Sequence, residues 1–342
     1  MVYYPVIIPT LNRVDHLKRC LDSLMKNSGA ENTEVYVAVD FPPSEKYQDG
    51  YIKVKEYLET QDFSVFKKFN VIYHSENLGP GGNSKFLEDL VKEKYDAFIY
   101  SEDDNDFSQN FLEYMNKGLE LFKDDPDVIC ICGAKDTQWV NNDKNFSFSK
   151  LYAAYGLGCW FDKRQKEISA GTKIILPDKT YFLGKMYDLY KKNSGLFCVY
   201  VLSILANDSG LFWKTNGELN WCDTVHSIYM HFTDAVCVVP AVAKSRTWGN
   251  DGSGVNMNLL SDYDPEKDSP LDEMQNFEYD NIDGISFYDE NYALGNDYLK
   301  PGRIEIIKAF FCYFVLLLFR GNRNLAVKIL KKPRIIWKKI KK

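Results

Sequence analysis

The chain has 342 residues, 45% hydrophobic and 26% charged, the balance of an ordinary globular protein with length for one large domain plus extensions or for two domains. Its eight cysteines lack the paired C-x-x-C spacing of zinc sites and of small disulfide scaffolds, so buried reduced thiols are expected. The net charge of -6 is unevenly spread: from Lys300 onward 13 Lys and Arg face one acid, Glu305, which gives +12 there and -18 before it.

The opening run VYYPVIIPT has no basic residue before it and no small-residue cleavage site after it. It reads as a first strand, not a signal peptide, and sets the expectation of a cytoplasmic chain. Val14, Leu17, Leu21, Leu24 and Met25 follow at helical spacing, with Asn12 and Asp15 marking the helix start. EVYVAVD (34–40) and FNVIYHS (69–75) alternate as second and third strands. NSKFLEDLVKEK (83–94) reads as a helix, YDAFIYS (95–101) as a fourth strand, SQNFLEYMNKGLELFK (108–123) as a helix and DVICICGA (127–134) as a fifth strand. This alternation predicts an α/β fold on a largely parallel sheet, whose ligands bind outside the carboxyl ends of the strands. Three features fall at those ends: PTLNR (9–13), Asp40 and an acidic cluster. Further on, a helix is expected around LNWCDTVHSIYMHF (219–232) and a strand at AVCVVP (235–240). Residues 261–290, acidic and turn-rich, read as a solvated connector or long surface loop.

The cluster places Glu102, Asp103, Asp104 and Asp106 within five positions directly after the fourth strand. Acids so close raise one another's pKa unless a cation sits among them. Hard divalent ions prefer carboxylate oxygens, and in phosphate chemistry Mg2+ or Mn2+ is held by one or two of them plus the substrate's own phosphates. A calcium loop starting at Asp104 is ruled out, because its sixth position is Gln109 and its twelfth Met115. The plain alternative is a solvated turn with Asp106 or Ser108 capping the next helix.

EDDNDFSQNFLEY (102–114) resembles, without a gap, the acidic segment of the N-acetylglucosaminyltransferase I family. Residues 1–255 resemble glycosyltransferase family 2 more loosely, with VIIPTLNR as the opening strand and loop. The resemblance implies a GT-A fold, a Rossmann-like and mostly parallel central sheet flanked by helices. It implies that Asp104 holds Mn2+ or Mg2+ on the diphosphate of a nucleotide sugar, and that Glu102 and Asp103 contact the ribose and the sugar. Asp40 would then accept a hydrogen bond from uracil N3–H; a simple strand-end Asp is the alternative. Pro9, Thr10 and Arg13, as first loop and helix start, suit a nucleotide, and NLGPGG, beginning at Asn77, would let backbone approach the donor. NWCDTV (220–225) resembles the family's Trp-x-Asp segment, which makes Asp223 the candidate base, with Glu218 behind it and a helix-capping role as the plain reading. KSRTWGNDGSG (244–254) resembles a Ser-Arg-Thr…Gly…Gly loop that folds over the donor, with Ser245 or Arg246 meeting phosphate and Gly249, Gly252 and Gly254 permitting motion. YGLGCW (155–160) resembles a segment bordering the sugar, through Gly158 and with Trp160 as a stacking face.

AFFCYFVLLLF (309–319) is too short to span a bilayer and suits a core or interfacial helix. In AVKILKKPRIIWKKIKK (326–342) Ile329, Leu330, Ile336, Trp337 and Ile340 share one helical face and the lysines largely the other, the pattern of a helix lying in an anionic membrane interface. Nucleic acid is the rival partner, and the acidic body opposes it. These readings predict a catalytic domain over 1–255, an acidic connector over 256–300 and a basic helical membrane-associating tail over 301–342. The expected protein is a metal-dependent, inverting hexosyl- or N-acetylhexosaminyltransferase, moving sugar from a UDP-sugar to a saccharide or lipid-linked acceptor in surface polysaccharide or glycan synthesis. It would sit peripherally on the inner face of the cell membrane. The rivals are a sugar nucleotidyltransferase, which needs a Gly-rich basic loop where PTLNRVDH stands, and a scaffold that binds nucleotide sugar without catalysis.

Overall fold

Strand and helix alternate from the start of the computed structural model, which describes residues 2–135, 144–150, 152–175, 179–205, 221–254, 264–281 and 301–318. In chain order the first elements are β1 (Val6–Thr10), α1 (Val14–Met25), β2 (Glu34–Val39), α2 (Gln48–Thr60), β3 (Lys68–Tyr73), α3 (Gly79–Lys92), β4 (Ala97–Tyr100), β5 (Asn105–Phe107), α4 (Phe111–Leu121) and β6 (Val128–Cys132). Then come β7 (Phe146–Ser149), β8 (Leu157–Trp160), α5 (Phe161–Ile175), α6 (Lys179–Lys192), α7 (Ser194–Val199), α8 (Asp223–Phe232), β9 (Val236–Pro240), β10 (Ser245–Thr247), α9 (Pro265–Asp268) and α10 (Arg303–Leu318). The chain divides into two compact units, one of residues 1–149, 153–164 and 236–287, the other of residues 150–152, 165–235 and 288–342.

The first unit is built on an eight-stranded sheet in the order β3-β2-β1-β4-β8-β6-β9-β7. Val6, Ile7 and Ile8 are fully buried, which places β1 inside the sheet between parallel β2 and β4. β2 with β3 and β6 with β9 are also parallel, while β8 runs antiparallel to β4 and β6, and β7 antiparallel to β9. Leu17, Cys20, Leu21 and Leu24 turn one face of α1 into the core. Helix α2, absent from the expected elements, does the same with Tyr51, Val54 and Leu58.

Strand β8 occupies the YGLGCW segment expected beside a sugar. A Cβ on Gly158 would stand 3.2 Å from the Leu119 side chain, so the missing side chain makes room for α4. Trp160 is buried and donates its Nε1–H to Leu119 O (3.2 Å), so it is a core ring. The stretch 264–281 likewise departs from a solvated connector. Phe277 is buried, the Tyr279 hydroxyl donates to Tyr114 O (3.1 Å), and Asp272 pairs with the buried Lys244. Asp264, Glu266, Asp268, Glu273 and Glu278 are exposed, while Phe277 belongs to the core cluster that includes α4 and Tyr279 packs against it.

The second unit has its own core, formed by Met186, Leu189, Phe197, Tyr200, Ile228 and Ala309 among others. Within it Glu167 and His226 make a buried pair, Oε1 to Nδ1 at 2.6 Å, with the Tyr152 ring stacked on the imidazole at 4.1 Å. Helix α10 buries Ala309, Cys312 and Val315 and leaves Ile304, Ile307, Phe311, Phe314 and Leu318 exposed. Among the described residues no helix is long and apolar enough to cross a membrane. The lysine-rich segment 326–342 lies outside the described residues. All eight cysteines are free, as their spacing led us to expect.

Candidate active site

The carboxyl ends of β1, β2 and β4 bring Thr10, Arg13, Asp40 and the acidic cluster into one region of the first unit. Pro9 and Thr10, expected in the first loop, belong to β1 itself, where they face Ala38 and Val39 of β2. The loop is therefore Leu11 to Arg13. Ser101 N–H continues the β4 ladder onto Ile7 O (3.0 Å), and Asn105 N–H closes a turn onto Glu102 O (3.4 Å). That turn sends the chain into β5, which pairs antiparallel with β10.

Asp103 and Asp104 sit on this turn at 4% and 5% exposure. Thr10 Oγ1 donates to Asp103 Oδ2 (2.7 Å), while Arg13 bridges both acids, Nη2 to Asp103 Oδ1 and Nη1 to Asp104 Oδ2, the latter at 2.8 Å. Burial pushes the Asp103 carboxyl up, Arg13 pulls it down and Asp104 pushes it up again, leaving it above its ordinary value. Burial works against the Arg13 charge, but Asp103 and Asp104 outweigh it and raise the guanidinium pKa. One guanidinium is thus shared by two buried carboxyl groups.

The second wall comes from β10 and the turn after it. Thr247 Oγ1 donates to Asp104 Oδ1 (3.3 Å), Trp248 N–H to Asp104 O (2.8 Å), and Gly249 N–H to Thr247 Oγ1 (3.0 Å). A Cβ on Gly249 would stand 2.5 Å from Asp104 Oδ2. Only glycine leaves that oxygen its space. Arg19 lies over the Trp248 ring (3.9 Å), and His16 Nε2 meets Asp251 Oδ2 at 3.0 Å, so α1 braces the turn.

Several expected residues have other partners. Asp106, expected to serve the following helix, takes a forked pair from Arg246, with Nε at 2.9 Å from Oδ1 and Nη2 at 2.9 Å from Oδ2; Arg246 is engaged there. Ser245 is buried, its hydroxyl donating to Tyr155 O and its N–H to Gly133 O (3.1 Å). Asp40 directly follows β2 and accepts from Phe41 N–H (2.9 Å), Leu78 N–H (2.8 Å) and Asn77 Nδ2 (3.2 Å), tying the turn before α3 to the sheet. Three of its roughly four lone-pair sites are used. Asn83, which sequence reasoning passed over, donates to Ala38 O (2.9 Å) and Thr10 O (3.4 Å) and so clips the ends of β1 and β2 together. Its signal was an amide inside the amphipathic pattern of α3. Thr247 and Gly249 were within a quoted motif, but their approach to Asp104 depends on the β5–β10 pairing. In the second unit Asp223 is the first residue of α8, half-buried, behind a Cys222 cap. Glu218 lies outside the described residues.

The donor set suits a hard divalent cation. Two adjacent carboxylates supply oxygen ligands, and the bare Cα of Gly249 keeps room at Asp104 Oδ2. Among the described residues only Cys130, Cys132 and Cys237 bring three possible ligand atoms together. The acids are thus no closed cage, which fits an ion whose remaining ligands are phosphate and water.

The family model for glycosyl transferase family 2 matches residues 6–187, more than half of the chain, and the chain belongs to that family. Its fold is GT-A. Among solved structures it is similar to the mannosyltransferase PcManGT from Pyrobaculum calidifontis in complex with GDP-Man and Mn2+, at 16% identity over 49% of this chain and 46% of that one, TM-score 0.35. It is also similar to TarS 1-349 of S. aureus (16% identity, 48% and 49%, TM-score 0.32) and to the apo form of mouse xyloside xylosyltransferase 1 (12%, 55% and 76%, TM-score 0.33). The chain spans about half the length of the first two. A search of curated proteins gave no match.

Proposed function

We propose that this family 2 enzyme is a metal-dependent, inverting hexosyl- or N-acetylhexosaminyltransferase that uses a UDP-sugar donor and a saccharide or lipid-linked acceptor in the synthesis of a surface polysaccharide or glycan. The observation that carries the reading is the buried Asp103–Asp104 pair at the carboxyl end of β4, held by Thr10 and Arg13 and approached closely by Gly249. Asp104 would hold Mn2+ or Mg2+, which supplies charge neutralisation for the departing diphosphate. Asp103, fixed by Thr10, and Glu102 would take the donor's hydroxyls, and the free site on Asp40 would take uracil N3–H, with Asn77 setting the turn beside it. Thr247 and Trp248 hold Asp104 through its Oδ1 and its carbonyl oxygen, leaving Oδ2 to Arg13. Asp223 is proposed as the base that accepts the acceptor hydroxyl's proton, which inversion in a single displacement requires.

UDP release measured with a panel of UDP-sugars, with and without acceptor extracts, tests this. Asp104→Ala and Asp223→Asn should each lower acceptor-dependent release by about 10²-fold or more. Undiminished release in Asp223→Asn refutes the base. Release from no donor at all turns the reading toward a binding scaffold.

A further inference from the structure

Arg13 already places a cation on Asp104. Its Nη1 is 2.8 Å from Asp104 Oδ2, the oxygen beside which Gly249 keeps space, and its Nη2 binds Asp103 Oδ1. The neighbouring cationic side chains are occupied elsewhere, Arg246 on Asp106 and Arg19 over Trp248. Asp103 cannot turn away with it, because Thr10 holds the other carboxylate oxygen. Arg13 itself is part-exposed, its side chain 19% accessible, and it is the non-helical residue before α1 (φ -102°, ψ 71°).

We infer that Arg13 competes with a divalent cation for Asp104, and that a donor diphosphate relieves the competition by drawing the guanidinium to itself, so that nucleotide and metal bind as a coupled pair. The inference rests on the proposed metal and donor site. A metal ion within ligand distance of Asp104 Oδ2 would press on a guanidinium hydrogen-bonded to the same atom, and two cations cannot share one carboxylate oxygen without repulsion. Diphosphate offers Arg13 the forked oxygen geometry it gives up at the two aspartates. Arg13 is thus a donor-binding residue with a second partner while the donor is absent. It pairs with both buried acids and makes the bare ion a poor ligand for the site.

The test is Mn2+ binding to the full chain, followed by electron paramagnetic resonance of the free ion, with and without UDP. Arg13→Gln should bind Mn2+ alone about ten-fold more tightly than the wild type and should gain less from UDP, since coupling between sites is typically 5- to 150-fold. Arg13→Lys, which keeps the charge but loses the fork, should fall between the two and serves if Arg13→Gln unfolds. If neither variant binds Mn2+ alone more tightly while Asp104→Asn loses Mn2+·UDP, the competition is refuted and the metal site stands. If Asp104→Asn binds Mn2+·UDP as the wild type does, or no form binds it, the metal site falls and the inference with it.

Discussion

Asp104 and Asp106 are two residues apart and have opposite tasks. Asp106 is paired with the part-buried Arg246 in a forked contact, with Glu266 Oε1 3.8 Å from the same guanidinium, so Asp106→Asn removes the charge of its nearer partner and should cost about 1.5–3 kcal/mol in denaturant unfolding. Asp104 crowds a second buried acid and shares its arginine with it. Asp104→Asn should therefore shift stability by no more than about 1 kcal/mol while abolishing metal-dependent nucleotide binding. Equal losses of stability would make both acids structural. The sequence marked the cluster as needing a cation and left Asp106 with a capping role. It could not show the division, because Arg246 lies 140 positions away and meets Asp106 only once β10 has paired with β5.

At the scale of elements, the brace around the site is made by turns and straps. Asp251 links the turn after β10 to α1; burial raises its carboxyl, but Ser253 and His16 lower it further, to about 2. Its contribution is thus present above the ordinary value of 3.8 and is lost as pH falls toward 2. Asp251→Asn should lower Tm at pH 7 and make no difference near pH 2, as differential scanning calorimetry can check. The strap 264–281 depends on Gly118, where a Cβ would stand 2.4 Å from the Tyr279 hydroxyl. Gly118→Ala should destabilise by about 1–3 kcal/mol and raise amide exchange through 277–279. Strands β1 to β4, β6 and β9 and helices α1, α3, α4 and α8 were legible as periodic apolar runs. Strands β5, β7 and β8 were not, being three or four residues long with no longer apolar run around them such as β4 has in YDAFIYS, and β8 owes its place to Gly158 yielding to Leu119. Helix α2 was legible in Tyr51, Val54 and Leu58 at i, i+3 and i+7 but was not read.

At the scale of the whole chain, charge and apolar surface suggest where the enzyme works. We propose a peripheral position on an anionic, cytoplasmic membrane face, supported by the +12 charge from Lys300 onward and by the exposed Ile304, Ile307, Phe311, Phe314 and Leu318 on α10, with Arg303 and Lys308 on the same helix. Phe311→Ser with Phe314→Ser should cut co-sedimentation with phosphatidylglycerol vesicles several-fold and leave phosphatidylcholine binding low. Unchanged binding would remove α10 from the contact, and no binding by the wild type would remove the membrane.

The central claim, a nucleotide-sugar and metal site at Asp103 and Asp104, is tested most directly by thermal unfolding of wild type and Asp104→Ala across nucleotide sugars with and without Mn2+. Ligand at about 100 times its Kd stabilises by about 2.7 kcal/mol, a rise of several degrees in Tm. That rise is expected for UDP-sugars with Mn2+ in the wild type and is expected to be absent in Asp104→Ala. The same rise in both proteins, or in neither, would contradict the claim.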